Sequence, residues 1–493
     1  MITRQVGWMM AAMVVGLGVG LHVAADEDPP AAPGAPAMTE VLDAVVTEAV
    51  EALEPAPTAE KPDHGILALT LRAEFAHKKV LAERESETYL DLRVDAWDGQ
   101  AEVRPRLNVA LVLDRSGSMA GEPMAKARQA AASFVERLEE GDRVSVIAFG
   151  GAPEVVVVPT AIEGATRARV IAAIEGIDSG GATHLSGGIE AASGALRGAR
   201  QSDSVDRMIV MTDGLPTTGI TATEELLALA RQARAEGITV TALGFGTSYD
   251  ASLMASLAEE GAGNYRYIAG TADVEPAFSA ELDALAATVA TGVTLTLLPS
   301  PGVHIEEVFG MPADPSAGAL TLHLGDLRAE TRRRVMLRLK TRGLPLDGQA
   351  RVRVILNYHD RITDRPVEHG MVATAGTTHD DVEMVASLRP EVMARVQEAL
   401  ATRALSEATE AYARGDQEGA TRHLENERRR MRRASADYGL AKEEMAPMAA
   451  EVDALKARMG SAAPSSAAGK ALRFERSQRD LELKRGEATP GAW

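Results

Sequence analysis

Three short segments hold the side chains best suited to chemistry. Asp114, Ser116 and Ser118 stand two residues apart in DRSGSM, Thr183 stands in GGATHL, and Asp213 stands in MTDG. A carboxylate and two hydroxyls at that spacing can converge, in a tight loop, on a hard cation. Oxygen donors of this kind suit Mg²⁺, which takes near-octahedral geometry at about 2.0–2.1 Å and usually keeps several waters. Mn²⁺ or Ca²⁺ is an alternative at such a site, and the donor types do not choose between them. A second reading is that Asp114 and the serines only cap the following helix, a common task for Ser and Asp. Capping leaves Thr183 and Asp213, in order on two further loops, without a role. An intact ion site with a purely structural role stays open as a third reading.

Other chemistries are poorly matched. Ser116, His184 and Asp213 could be read as a hydrolase triad, but no Gly-x-Ser-x-Gly elbow is present, and the chain order Ser-His-Asp differs from the established orders. No phosphate-binding Gly-x-x-x-x-Gly-Lys-Ser/Thr loop occurs, because Gly469-Lys470 is followed by Ala471, and there is no His-Glu-x-x-His run. The 493 residues include no cysteine, which excludes disulfides, thiolate zinc sites, iron–sulfur clusters and a cysteine nucleophile. With 52 Lys+Arg against 71 Asp+Glu, the net charge of −19 disfavours nucleic acid, whose phosphates must be neutralised by cations. An aromatic share of 3% argues against base-stacking platforms. The chain is expected to bind rather than to catalyse.

The three segments need strand ends to present them. LNVALVLD, RVSVIAFG, RMIVMTDG and GITVTALGFG are nearly continuous apolar runs with amphipathic helical patterns between them. Buried strands alternating with such helices predict a mostly parallel sheet covered on both faces, a doubly wound α/β domain over 105–290. EVVVVP, bracketed by Pro153 and Pro159, reads as an edge strand. Asp114 and Asp213 then fall at the carboxyl ends of strands, where ligands of open α/β sheets bind.

With these three segments in this order, the chain resembles the von Willebrand factor type A family, the matching residues being DRSGSM, GGATHL and MTDG. The likeness runs from about Leu107 to Val289. It implies a Rossmann-like fold and a metal-ion-dependent adhesion site. In such a site Ser116, Ser118 and Thr183 bind the ion, while Asp114 and Asp213 act mostly through water or by orienting the hydroxyls. An ion with few anionic ligands keeps an open position, which the acidic side chain of a partner protein can fill. The wider arrangement, with β-flanks and a helical end, is similar to bacterial proteins related to the inter-alpha-trypsin inhibitor heavy chains or described as Ca-activated chloride channel-like. An envelope assembly or chaperone-like scaffold is the alternative function, and a serine hydrolase the remote one.

Elsewhere, residues 1–25 read as an export signal, with Arg4, an apolar stretch and Val23-Ala24-Ala25, or else as an N-terminal membrane anchor. The protein is thus expected to be periplasmic, secreted or anchored. Residues 26–61 form a Pro/Ala-rich linker with one short helix. Alternating runs predict strands over 62–104 that join a β-sandwich over 291–379, so that the α/β domain is inserted in the sandwich. Residues 380–460 read as a helical hairpin, and 461–493 as a disordered tail. Arg428, Arg429, Arg430, Arg432 and Arg433 read as a solvated helix face, with contact to an anionic partner as the alternative.

Overall fold

In the computed structural model, which describes residues 67–484 apart from 98–103, 202–203, 247 and 312–317, the first described elements are β-strands, and the chain later returns to β-structure. Strands β1 (Leu69–Phe75), β2 (Lys79–Leu81) and β3 (Ser86–Ala96) come first. In β1 the alternation is plain, with Leu69, Leu71 and Phe75 buried and Thr70, Arg72 and Glu74 exposed. The expectations for 1–25 and 26–61 fall outside the described residues.

The α/β domain follows, with strands β4 (Arg106–Asp114), β5 (Arg143–Phe149), β6 (Pro153–Ala161), β7 (Ser204–Thr212), β8 (Thr239–Phe245) and β9 (Ala262–Ile268). Its helices are α1 (Glu122–Arg137), α2 (Gly164–Glu175), α3 (Leu185–Ala199), α4 (Thr223–Ala235), α5 (Ala251–Glu260) and α6 (Val274–Ala286). The sheet order is β6-β5-β4-β7-β8-β9, parallel throughout except for antiparallel β6 at the edge. Strand β4 shows why the sheet is covered on both sides. Leu107, Val109, Leu111 and Leu113 pack with α1, α2 and α6, while Ala110 and Val112 pack with α3, α4 and α5. A two-residue period thus feeds two separate cores, so a strand buried on both faces reads as a nearly continuous apolar run.

Helix α6 hands over directly to β10 (Thr288–Pro299), which begins the rest of the sandwich: β11 (Val303–Val308), β12 (Leu320–Arg328), β13 (Arg332–Thr341), β14 (Gln349–Asp360) and β15 (Arg365–Thr378). One sheet is β1-β3-β13-β11 and the other β12-β10-β14-β15-β2. The early strands therefore pair with late ones, β3 along β13 and β2 parallel to the end of β15, so the α/β domain is an insertion in the sandwich. Asp326 fastens the two: Thr239 Oγ1 donates to it at 3.0 Å and the Gly292 N–H at 3.2 Å, with Arg207 at 3.4 Å.

After the sandwich come α7 (Asp381–Ala386), α8 (Pro390–Ala413), α9 (Gln417–Asp437), α10 (Lys442–Ser461) and α11 (Ala467–Lys484). Helices α8 and α9 form the expected hairpin about Gly415, and α10 and α11 add to it. Arg395 of α8 meets Asp91 of β3 at 2.6 Å, docking the hairpin on the sandwich. The arginine run does more than face solvent: Arg428 pairs with Asp453 at 2.8 Å and Arg430 pairs with Glu427, which ties α9 to α10 and stiffens α9. Among the described residues no helix is long and apolar enough to cross a membrane.

The expected disordered tail is corrected by α11. Its apolar residues are few, but Leu472, Phe474 and Leu481 are all buried. Phe474 stacks on Tyr267 with ring centroids 5.1 Å apart and lies 4.7 Å from the ring of Tyr249. Arg476, 0% exposed, meets Glu451 at 2.7 Å and also pairs with Asp480. Gln478 accepts the Tyr267 N–H at 3.0 Å, so the helix covers the open edge of β9. Long-range partners, not local composition, order this segment.

Candidate metal centre

Four loops meet above the carboxyl ends of β4, β5 and β7. Arg115 N–H donates to Phe149 O at 2.8 Å, Gly180 N–H to Arg115 O at 2.6 Å, Gly117 N–H to Gly181 O at 3.0 Å, and His184 N–H to Gly150 O at 2.9 Å. The close approach depends on glycine. Gly181 has φ +90°, and a Cβ there would lie 2.8 Å from Gly151 N, while a Cβ on Gly150 would lie 2.7 Å from Gly180 O. Backbones this close tolerate no side chain between them.

The five residues singled out from the sequence come together in this weave. Asp114 is 0% exposed, Asp213 8%, and Ser116 and Thr183 are also buried. Ser118 alone of the five is exposed. Ser116 N–H donates to Asp114 Oδ1 at 2.8 Å, Ser118 Oγ donates to Asp213 Oδ1 at 2.7 Å, and the two serine hydroxyls are 3.0 Å apart. Gly214 lies under the gap between two of the hydroxyls: a Cβ on it would be 3.6 Å from Thr183 Oγ1 and 3.8 Å from Ser118 Oγ. Burial pushes both carboxyls above the ordinary carboxylate range. At Asp114 hydrogen bonds from Thr212 and Ser116 oppose the rise and the negative charge of Asp213 adds to it; at Asp213 the Ser118 hydroxyl opposes it.

The donor set fits a hard divalent cation. Adjacent ligands of an octahedron with bonds of 2.0–2.1 Å stand about 2.9 Å apart, and the Ser116 and Ser118 oxygens are 3.0 Å apart. Burial and the charge of Asp213 disfavour ionisation of Asp114, a cost that a cation held there would relieve.

Two neighbours were less visible in the sequence. Thr212 Oγ1 donates to Asp114 Oδ2 at 2.5 Å, and Thr217 Oγ1 accepts the Thr183 N–H at 2.9 Å. Thr212 is the second residue of MTDG itself, and Thr217 lies three residues beyond it. The structure does not assemble the Ser116–His184–Asp213 triad. Ser116 and Asp213 both engage Ser118, whereas the His184 ring packs against Gly219, where a Cβ would lie 2.0 Å from Nε2. Gly219, at φ +69°, admits both the turn and the ring.

Residues 108–278, the doubly wound α/β domain, match the family model described as von Willebrand factor type A domain. The chain therefore carries a von Willebrand factor type A domain over about a third of its length. It is 26% identical over 360 residues to the uncharacterized protein sll0103 of Synechocystis sp., a match covering 69% of this chain and 82% of that one. To the uncharacterized protein YfbK of Escherichia coli it is 27% identical over 216 residues, covering 42% of this chain but only 36% of that protein. The solved structure titled von Willebrand factor type A from Catenulispora acidiphila superposes with a TM-score of 0.64 at 16% identity, over 85% of this chain and 97% of that one. That likeness extends the shared fold well beyond the α/β domain.

Proposed function

We propose that the protein binds another protein through a divalent cation, Mg²⁺ or the similar Mn²⁺ or Ca²⁺, held at the rim of its α/β domain. The observation that carries this reading is that Asp114, Ser116, Ser118 and Asp213 are joined by hydrogen bonds, with the Thr183 hydroxyl beside Ser118 over Gly214, so that residues of three loops meet. When bound there, the ion supplies an electrophilic centre with a free position for a partner's carboxylate.

The chain's own residues prepare that centre. Asp114, anchored by Thr212 and the Ser116 N–H, fixes the first loop, and Asp213 orients the Ser118 hydroxyl. Ser116, Ser118 and Thr183 would hold the ion through neutral hydroxyls, which would leave much of its positive charge for a partner to neutralise. Ser118, exposed at the rim, marks the side from which a partner reaches the ion. This is a function of binding, with no turnover assigned to any residue.

The test uses the immobilised protein to retain partner proteins from its own source. Retention in Mg²⁺ that is lost in EDTA and lost in Asp213→Ala is the expected result. Equal retention in all three conditions would contradict the proposal and assign the ion site a structural role.

A further inference from the structure

Asp114 and Thr212 belong to a row of side chains that runs across the sheet. On the face covered by α3, α4 and α5, the paired residues Ala110, Met208 and Val240 form one row, and Val112, Val210, Ala242 and Tyr265 form the next. Side chains two residues apart share a face. The following row is therefore Asp114, Thr212, Gly244 and Tyr267, with Thr212 Oγ1 bonded to Asp114 Oδ2 at 2.5 Å. Gly244 supplies no side chain to this row, and the ring of Tyr249 takes that place: a Cβ on Gly244 would overlap the ring. Tyr249 is buried, and its hydroxyl lies 2.7 Å from that of Tyr265 in the row below. Phe474 of α11 covers the Tyr249 ring with centroids 4.7 Å apart and stacks on Tyr267 at 5.1 Å. The row that begins at the metal centre thus ends against the last described helix.

The inference rests on the function proposed above. We infer that Tyr249 and Phe474 are positioning residues of the metal centre, and that docking of α11 holds the Thr212 hydroxyl on Asp114. Thr212 is buried, and its Oγ1 has a second acceptor in reach, Gly214 O at 3.4 Å. The Tyr249 ring, filling the neighbouring place in the row, closes the side of Thr212 away from Asp114. A hydrogen bond shut off from solvent is stronger than one for which water competes. Lifting Phe474 uncovers the ring, lets water approach Thr212 and loosens Asp114, which in turn holds the Ser116 N–H of the first loop. Ion binding and α11 docking are then linked: the factor by which docking raises ion affinity is the factor by which the ion favours docking.

The experiment has two arms, both on the full chain. The first measures Mg²⁺ affinity in the unaltered protein, in Phe474→Leu and Tyr249→Leu, and in Leu356→Ala, a truncation in the sandwich core that controls for a general loss of stability. The two leucine variants should bind Mg²⁺ about five- to tenfold more weakly, the lower part of the range for coupled sites. Tyr249→Phe, which keeps the ring, should recover most of that loss, and Leu356→Ala should bind as the unaltered protein does. The second arm needs no variant: amide exchange in 467–484 should slow on saturation with Mg²⁺ by a matching factor, relative to α8 and α9. A purely structural role for α11 moves neither readout. Unchanged affinity in either leucine variant, an equal loss in Leu356→Ala, or exchange in α11 that Mg²⁺ does not alter overturns the inference and leaves the ion site standing. Absence of Mg²⁺ binding by the unaltered protein overturns the ion site, and this inference with it.

Discussion

Thr212 Oγ1 donates its proton to Asp114 Oδ2 at 2.5 Å, joining the ends of two neighbouring parallel strands at the candidate metal centre. The bond fixes the orientation of a carboxylate that burial would otherwise tend to neutralise. Thr212→Val keeps the shape and removes the donor. It should cost about 1–3 kcal/mol of stability, the penalty of leaving a buried acceptor without its partner, and it should weaken Mg²⁺ binding. Urea unfolding with and without Mg²⁺ reads both effects. Thr212→Ser should retain most of each, and a valine variant as stable as its parent would show that the bond contributes nothing.

Phe474 is the second test, because it alone carries aromatic stacking from α11 to the α/β domain. Phe474→Ala should destabilise the protein by about 3–5 kcal/mol, as large aromatic truncations in cores do. Amide exchange should then rise both in 467–484 and in β9, whose Tyr267 N–H is held by Gln478. Faster exchange in the helix alone would mean that α11 leans on the domain without supporting it.

The contrast between α11 and the ion site shows what the sequence made legible. DRSGSM, GGATHL and MTDG could be read directly, because each is a contiguous loop beside an unmistakable strand or helix, and one loop holds three of the five residues. The inserted architecture was legible too, since β3 and β13 announce themselves by alternation. Strand β9 was harder to see. Its Asn264 and Arg266 look like surface residues, yet both reach Glu281 of α6, which is fully buried, at 3.1 Å and 3.0 Å. Helix α11 was hidden for the same reason: its burial depends on Glu451, Tyr249 and Tyr267, none of them near it in the chain. Polar residues satisfied by distant partners carry no local period.

His77 supplies a pH dependence away from the ion. It bridges the sandwich to the helical region opposite Leu388, and its Nδ1 lies 3.1 Å from Thr88 Oγ1. Burial holds its pKa below the ordinary histidine value of 6.5. The unfolded chain therefore binds the proton first, so stability falls as pH drops below about 6.5 and levels off once the folded form titrates. His77→Gln should show a shallower loss between pH 7.5 and 5 in denaturant unfolding. Parallel curves for the two proteins would rule out this contribution.

The most direct test of the account is calorimetric titration of the full chain with Mg²⁺, alongside Asp213→Ala and Ser118→Ala. The expected result is one saturable site in the unaltered protein, a thermal midpoint that rises with Mg²⁺ concentration as binding to the folded state requires, and loss of both effects in the two variants. No saturable binding, or the same binding in all three proteins, would contradict it.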